Sequence, residues 1–353
     1  MRFARLLTVV ALLFVASSSG AAEPVRVGVI GFDNYQGLEY VLMFSNVKPD
    51  PAFEGMRVTA IYPVGSDDYP ESAALAARWT SQLDAVYKRL KNPEQAAPQP
   101  EIVSSIEAVL AKCDAVLMAG LDGRLHLKQA TPVLKAGKRL YICRPLAANA
   151  ADAVAILKLA AETKTPCFSS SQHRFSPGFI GMRNHPEVGK VLGCDVYGGF
   201  DLKHAQADEF IRPLHSLETI YTIMGPGVER VSCTSTPTAE SFTLVWKDGR
   251  VGTYRGIKEG KQKWSATVFG DAGVSTAGIY GHGVPTQGVV PVKDEYMGYK
   301  GIGLEIAKFF KGGPLPVEPG ETLEIYGVMQ AAEESRAKGG AFVPVPDLWN
   351  GAK

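Results

Sequence analysis

The stretch that decides the fold is VRVGVIGFDNYQG, residues 25–37. A run of Val and Ile ends at Gly31 and a helical pattern follows, which is the order of strand, tight turn and helix that opens a dinucleotide-binding unit. In the full Gly-x-Gly-x-x-Gly pattern the second and third glycines would fall at Asp33 and Gln36. The stretch therefore predicts this frame, with cofactor contacts at Gly31, Phe32 and Asp33, on a turn that lacks two of its glycines.

Asp33 has two interpretations. A carboxylate at the second glycine position adds bulk and places a negative charge opposite a phosphate anion. Asp is also a preferred N-cap residue, so Asp33 equally fits the ordinary start of the following helix. Under either interpretation the turn is a weaker phosphate cradle than the full glycine pattern.

The chain after this turn alternates between apolar strand patterns and helical patterns. Apolar runs at 26–30, 58–62, 115–119 and 139–143 are separated by amphipathic or capped helical segments. Such alternation is typical of a doubly wound parallel sheet. We therefore predict an α/β protein whose residues 24–148 form a Rossmann-like, dinucleotide-binding domain.

The second half of the chain has a different pattern. Segments of alternating polarity predict an open, mainly antiparallel sheet, and helical patterns lie near 214–224, 301–310 and 321–337. We assign residues 149–353 to an α+β domain for substrate binding or dimerisation. The predicted strands lie at 191–200, 228–235, 241–246, 251–257 and 263–270. A sheet with one packed face leaves the other for a site or for pairing of identical subunits.

Bulk composition excludes some classes of partner. A chain of 353 residues is longer than one ordinary core requires, which favours two domains. Its 37 Lys and Arg residues balance 36 Asp and Glu residues without a basic stripe, so nucleic acid is not an expected partner. The five scattered cysteines form no metal or redox motif, which favours buried single thiols.

The first 22 residues have the pattern of a secretory signal peptide. Arg2 and Arg5 are followed by an apolar run at 6–15 and by small residues at 19–22. The apolar run is about half of the ~20 residues that a spanning helix needs. We expect cleavage near Ala22, export to the periplasm or the medium, and no stable membrane span afterwards; the alternative is an uncleaved anchor.

Two further segments resemble the Gfo/Idh/MocA family, named for glucose-fructose oxidoreductase and inositol dehydrogenase. HLKQATPVLKAGKRLYICRPLA at 126–147 has the opening His, the Ala-Gly-Lys turn and the Pro-Leu-Ala peptide, and QHRFSP at 172–177 has the Gln-x-x-Arg-Phe start. The resemblance extends through His215 to the tail near 345. It implies a Rossmann domain holding NAD or NADP and hydride transfer at a sugar or cyclitol carbon.

The resemblance also implies roles for the residues near the end of the fourth apolar run. The family's Glu-Lys-Pro peptide falls on Cys143, Arg144 and Pro145, so the cationic position is kept as Arg144. We expect Arg144 and Pro145 to contact the cofactor, and Arg144 to orient the reacting carbon. Because arginine is effectively always protonated, it is not suited to lend and recover a proton.

The family's Asp-x-x-x-His pair falls on Ile211 and His215, so the carboxylate is missing. His215 is the candidate general base and substrate contact, because imidazole takes a hydroxyl proton near neutral pH. Glu218 lies about one helical turn beyond it and is the candidate catalytic partner if this segment is helical. The alternative is a histidine held in a structural network.

Three more positions complete the expected site. The second apolar run ends at Tyr62 without the carboxylate that normally accepts ribose hydroxyls, so Tyr62 is assigned to the cofactor as a ring that stacks on adenine. The alternatives are that Ser66 or Asp67 replaces the carboxylate from the following loop, or that this loop is simply solvated. Gln172 and Arg174 fall where the resemblance implies the substrate side. A structural salt bridge is the alternative for Arg174, and no metal site is expected.

These residues support three readings of function. The leading one is an exported NAD(P)-dependent oxidoreductase acting on a CH–OH group of a sugar or cyclitol. A second is a redox-inactive family member that binds carbohydrate. A third is a non-redox lyase or hydrolase of glycosides that uses His215 and Glu218.

Overall fold

A computed structural model describes residues 23–47, 49–199, 210, 212–261, 264–278 and 299–350. The predicted signal peptide, residues 1–22, and Ile211 lie outside the described residues. Within the described ranges, no helix is both long enough and apolar enough to cross a membrane.

The N-terminal domain is a parallel six-stranded sheet with the order β3-β2-β1-β4-β5-β6. Its strands are β1 (Val25–Ile30), β2 (Met56–Tyr62), β3 (Glu101–Ile102), β4 (Ala115–Met118), β5 (Arg139–Cys143) and β6 (Cys167–Ser170). Its helices are α1 (Tyr35–Phe44), α2 (Ser72–Lys88), α3 (Ile106–Leu110), α4 (His126–Lys135) and α5 (Ala150–Glu162). The doubly wound prediction is confirmed, and the strand order reverses between β1 and β4, whose carboxyl ends form the switch point.

Continuous apolar runs form the central strands because helices cover both faces of the sheet. Val27 and Val29 pack in the core beside α1, whereas Ile30 packs in the core beside α4 and α5. Gly28 is required by close packing, since a Cβ atom there would lie 2.3 Å from Cγ1 of Val109. The sequence of β1 is therefore explained by burial on both sides.

The C-terminal domain is a mixed sheet with the order β12-β11-β7-β10-β9-β8-β13. Only the β7–β10 pair is parallel in the described part of the chain, so the mainly antiparallel prediction is confirmed. The strands are β7 (Val191–Gly199), β8 (Val228–Ser235), β9 (Ala239–Trp246), β10 (Val251–Ile257), β11 (Ser265–Gly270), β12 (Val274–Gly278) and β13 (Val343–Pro344). The helices that follow β6 along the chain are α6 (Pro177–Ile180), α7 (Leu214–Met224), α8 (Lys300–Phe310) and α9 (Pro319–Ala337).

The predicted boundary at residue 148 needs correction at two places. Strand β6, with the α5 helix before it, completes the N-terminal sheet, so that sheet continues to Ser170. Helix α8 returns to the same domain, where Ile302, Ile306 and Phe309 join the core that contains Phe44. Burying an apolar side chain of this size contributes about 1.5–3 kcal/mol, which explains why the segment docks there.

The two domains are joined by buried polar contacts near the end of β5. The hydroxyl of Tyr326 on α9 donates to the carbonyl of Ala147 at 2.7 Å and accepts from its N–H at 2.9 Å. The elements that carry the site therefore sit on a fixed domain junction.

All five cysteines are free and buried, as the scattered spacing predicted. They are Cys113, Cys143, Cys167, Cys194 and Cys233. Burial raises the pKa of the Cys143 and Cys167 thiols to about 12, which keeps both protonated at neutral pH. Their contribution is packing rather than thiolate chemistry.

Candidate active site at the carboxyl edge of the parallel sheet

The turn after β1, residues 31–34, is built on Gly31. Its φ is +82°, and a Cβ atom there would lie 2.4 Å from the backbone nitrogen of Gly120, in the loop after β4. Glycine is therefore needed for the close approach of these two loops. The predicted tight turn is confirmed, whereas the side chain of Phe32 is fully buried in the core and leaves only its backbone at the sheet edge.

Asp33 does not cap α1. The cap is Asn34, whose Oδ1 accepts from the N–H of Gly37 at 3.1 Å, so the N-cap interpretation of Asp33 is wrong. The carboxylate of Asp33 is 1 % exposed and accepts from Ser72 Oγ at 2.7 Å and from the N–H of Leu121 at 3.0 Å. Both residues are good caps, and the position of the first helical residue, Tyr35, selects Asn34.

The loop between β2 and α2 is tied to the loop after β4. Ser66 donates from its N–H to Ser72 Oγ at 2.8 Å and from its hydroxyl to Asp122 at 2.6 Å. Tyr62, at the end of β2, is half-buried and packs against the core. The adenine contact assigned to Tyr62 stays a prediction.

Next to this turn lies Gly120, where a Cβ atom would contact His126 Nε2 at 3.7 Å and Gln129 Oε1 at 4.0 Å. The buried Oε1 of Gln129 has no hydrogen-bond partner among the described residues. A buried acceptor needs a donor, and a hydroxyl group of a bound cofactor would supply one.

His126 holds this edge together, in agreement with its prediction as a helix-start residue. Its Nδ1 lies 2.9 Å from the carbonyl oxygen of Pro145, and its Nε2 lies 3.3 Å from that of Gly120. Burial lowers the pKa of His126. The ring therefore links the loops after β4 and β5 and fixes Pro145, which follows a cis Arg144–Pro145 peptide bond.

Arg144 directly follows β5, at the carboxyl edge of the parallel sheet. Burial lowers the pKa of Arg144, and its electrostatic interaction with Tyr299, Cys143, Tyr141 and Tyr40 partly opposes this shift. Since an arginine keeps its proton under such a shift, Arg144 supplies a fixed positive charge at the domain junction.

His215 is the second residue of α7 and faces this junction. Its Nδ1 lies 2.6 Å from Oγ of Ser171, and its ring stacks on that of His173 with centroids 4.5 Å apart. Burial, the charge of Arg144 and the neighbouring His173 hold the pKa of His215 well below its usual value. Arg144 is thus close enough to His215 for its charge to influence the imidazole, and the catalytic roles assigned to the two residues stay predictions.

Glu218 is not the partner of His215, which corrects the sequence prediction. Its carboxylate accepts from Nε of Arg174 at 2.5 Å, and a second carboxylate, Glu321 of α9, binds the same guanidinium. Arg174 and Glu218 are 8 % and 3 % exposed. Glu218 turns away because Arg174, on a 3-10 turn 44 residues earlier, needs a counter-charge in the core.

The same geometry decides among the remaining interpretations. Arg174 forms the structural salt bridge that was its alternative role, rather than presenting its charge to a substrate. Gln172 is half-buried at the start of the 3-10 turn Gln172–Phe175 that carries His173. A catalytic Glu218 is also what the lyase or hydrolase reading required, so the structure disfavours that reading.

Sequence reasoning missed Ser171 and His173. Ser171 is fully buried and its Oγ accepts from the N–H of His173 at 3.1 Å as well as contacting His215. Burial, with the charge of Arg144, lowers the pKa of His173 to about 3. A signal was present in the run Ser-Gln-His-Arg at the end of β6, where polar residues replace the apolar pattern of a strand.

The fold is that of a two-domain protein with an N-terminal Rossmann domain. Residues 25–171 match the model of the oxidoreductase family with an NAD-binding Rossmann fold, GFO_IDH_MocA. The match covers the N-terminal domain and confirms the predicted resemblance to the Gfo/Idh/MocA family. The cofactor that defines the family's N-terminal domain is NAD.

One curated relative is the "Putative oxidoreductase YceM" of Salmonella typhimurium, 24 % identical over 184 residues. The match covers 49 % of this chain and 58 % of that protein, so it spans less than two thirds of the relative's length. It is consistent with the family and says nothing finer about the reaction.

Solved structures share the fold over nearly the whole chain. A levoglucosan dehydrogenase in complex with NADH and levoglucosan has a TM-score of 0.69 at 15 % identity and covers 92 % of this chain and all of its own. GenD2 from gentamicin A biosynthesis, in complex with NAD, has a TM-score of 0.67 at 16 % identity, covering 93 % and 98 %. The scyllo-inositol dehydrogenase of Lactobacillus casei has a TM-score of 0.65 at 13 % identity, covering 92 % and 98 %. At these identities the likeness establishes the fold alone.

Proposed function

We propose that this protein is an exported, NAD(P)-dependent oxidoreductase that transfers a hydride at a CH–OH carbon of a sugar or cyclitol. The observation that carries the proposal is a half-buried imidazole, His215, which is held by Ser171 and lies within the electrostatic influence of Arg144 at the junction of the two domains. A base and a cation at one carbon are what oxidation of an alcohol requires.

His215 takes the hydroxyl proton in this scheme. In the tautomer with the proton on Nδ1, that N–H donates to Ser171 Oγ, and the lone pair of Nε2 accepts the substrate proton. The depressed pKa keeps the imidazole in its basic form at neutral pH. Ser171 is thus a positioning residue that sets the tautomer and the orientation of the ring.

Arg144 stabilises the negative charge that develops on the substrate oxygen as the proton leaves. It does this without exchanging a proton itself, so His215 carries the proton transfer. An oxidised nicotinamide, when bound, would supply the acceptor for the hydride. The backbone of the turn at Gly31, together with Tyr62 and Pro145, is proposed to hold it.

The sugar or cyclitol class is supported by the names of similar structures. One of these acts on levoglucosan and another on scyllo-inositol, each at under 25 % identity. Export is supported by the basic, apolar and small-residue order of residues 1–22. Mass spectrometry of the protein purified from the producing cell is expected to give a mature chain beginning near Glu23, and a chain beginning at Met1 would contradict export with cleavage.

The test of the activity uses the mature protein with NAD or NADP and a panel containing myo-inositol, scyllo-inositol, glucose and levoglucosan. The proposal predicts formation of reduced nicotinamide with at least one of these, and its loss in His215→Ala. His185→Ala, a substitution of a histidine remote from the junction, is the matched control. Absence of any binding of NAD and NADP at millimolar concentration would exclude hydride chemistry.

A second candidate function is a carbohydrate-binding protein without redox activity. The observation that favours it is the buried carboxylate of Asp33 at the phosphate turn. Isothermal titration with the same sugars in the absence of nicotinamide separates the two. Sugar binding that neither requires nor responds to NAD would favour this second function.

A further inference from the structure

We infer that Asp33 is an internal anion that latches the dinucleotide groove shut and lowers the affinity of this chain for nicotinamide dinucleotides. The inference rests on the proposed function only for its choice of ligand. It concerns binding, and it assigns a role to a residue that stands where the glycine pattern would leave bare backbone.

The carboxylate of Asp33 bonds two other loops across the switch point. It accepts from the hydroxyl of Ser72, which opens α2, and from the N–H of Leu121, which follows β4. A dinucleotide lies over this same edge, where the strand order reverses. The carboxylate of Asp33 therefore holds the start of α2 and the loop after β4 together across the edge that a dinucleotide would have to cover.

A second contact closes the same groove. Ser66 of the loop before α2 donates to Asp122 of the loop after β4, at 2.6 Å. The charge of Asp122 is compensated by Arg124, whose Nη2 lies 2.6 Å away. Asp33 has hydroxyl and backbone donors, and none of the described lysines or arginines forms an ion pair with it.

Charge makes the latch act against this particular ligand. A pyrophosphate carries negative charge, and two like charges a few ångströms apart repel by several kcal/mol where solvent screening is weak. Asp33 is 1 % exposed, so water screens it poorly. Binding thus requires the carboxylate to leave its donors, and the affinity is lowered by the free energy of that opening.

Two substitutions of Asp33 separate the effect of its negative charge from the effect of its hydrogen bonds to the neighbouring loops. Asp33→Asn keeps the size of the side chain and one acceptor for the N–H of Leu121, but removes the charge. Asp33→Gly removes the charge and the hydrogen bonds, and it places a glycine where the glycine pattern has one. The matched control is Asp114→Asn, which removes a carboxylate just before β4, at the opposite edge of the sheet, where it is 45 % exposed and paired with Arg26.

The experiment is a fluorescence titration of full-length mature protein with NADH and NADPH. We expect Asp33→Gly to bind at least about tenfold more tightly than the native chain, Asp33→Asn to lie between them, and Asp114→Asn to match the native chain. Ser72→Ala, which removes one bond of the latch, is expected to tighten binding about fivefold. Far-ultraviolet circular dichroism and thermal unfolding verify that each variant is folded.

The affinities of these variants for NADH and NADPH test the role of Asp33 independently of whether the protein oxidises a sugar. Tighter binding by the Asp33 and Ser72 variants supports the latch even if the native chain shows no turnover. Equal or weaker binding by folded Asp33→Asn and Ser72→Ala overturns it, even if the native enzyme oxidises a sugar. Failure of Asp33→Gly to fold leaves the decision with those two variants.

Discussion

The turn after β1 and the junction around His215 lie at the same carboxyl edge of one sheet, and they differ in how their charges are compensated. At the turn, a buried carboxylate is held by a hydroxyl and a backbone N–H. At the junction, the cation of Arg144 lies beside two neutral imidazoles, and an Arg174–Glu218 pair supports them. The chain therefore has groups suited to act on a hydroxyl, His215 and Arg144, and departs from the glycine pattern at the turn that is proposed to meet the cofactor.

The largest expected effect is on catalysis, when the junction is changed at His215. His215→Ala removes the proposed base, and general acid–base groups contribute about 10²–10⁴-fold, so kcat/KM is expected to fall by that factor. The affinity for NADH is expected to stay within about twofold, since His215 contributes to the proton transfer. A variant with native kcat/KM would assign His215 to the structural network instead.

The ion pairs of Arg174 near His215 are expected to make a large contribution to the free energy of unfolding. Arg174→Met leaves Glu218 and Glu321 as buried carboxylates without their shared cation, which destabilises by about 3–5 kcal/mol. Urea unfolding monitored by tryptophan fluorescence measures the change. Arg89→Ala, an exposed position at the end of α2, is the control and is expected to stay within about 0.5 kcal/mol. Equal stabilities for the two variants would show that the buried ion pairs contribute little.

The depressed pKa values of His173 and His215 are expected to make the folded protein less stable in acid. In the unfolded chain His173 protonates near its ordinary pKa, whereas in the folded chain its pKa is about 3. As the pH falls below about 6.5, the unfolded state binds a proton that the folded state does not, so the free energy of unfolding decreases by about 1.4 kcal/mol per pH unit for this residue.

The same direction holds for His215, whose pKa is also depressed. Unfolding curves between pH 7 and pH 4 measure the combined slope. His173→Gln is expected to flatten it, because glutamine does not titrate. An unchanged slope in that variant would contradict the burial of a neutral His173.

The smallest expected effect concerns Ser171. Ser171→Ala removes the oxygen on which Nδ1 of His215 rests, so the tautomer and the ring orientation are no longer fixed. We expect kcat to fall about tenfold with a changed pH profile, and the KM for NAD to stay the same. Ser171→Thr, which retains the hydroxyl, is expected to recover part of the rate; a pH profile identical to that of the native enzyme would argue against positioning.

Much of the fold was predictable because burial imposes a period on the sequence. Strand β10, Val251–Ile257, alternates buried and exposed residues and was predicted with its observed bounds, as was α7, Leu214–Met224. Strand β6 was missed because its sequence, CFSS, is short and ends in two serines. Its burial depends on neighbours that only the sheet order provides.

The site was less predictable than the fold. The resemblance located His215 and Arg144, but the partner of Glu218 is Arg174, which tertiary structure brings from 44 residues away. The partners of Asp33 lie 39 and 88 residues away, on loops that meet only at the sheet edge. Helical spacing describes neighbours on one helix and carries no information about such contacts.

In the proposed function, Asp33 weakens the surface that holds the cofactor, whereas His215 and Arg144 keep the junction competent for catalysis. The measurement that tests this most directly is the steady-state rate of native protein and Asp33→Gly as the NAD concentration varies at a saturating concentration of sugar or cyclitol. We predict that the KM for NAD falls about tenfold in the variant while kcat changes far less. An unchanged KM together with a reduced kcat would contradict the account, because Asp33 would then support the reaction instead of opposing the cofactor.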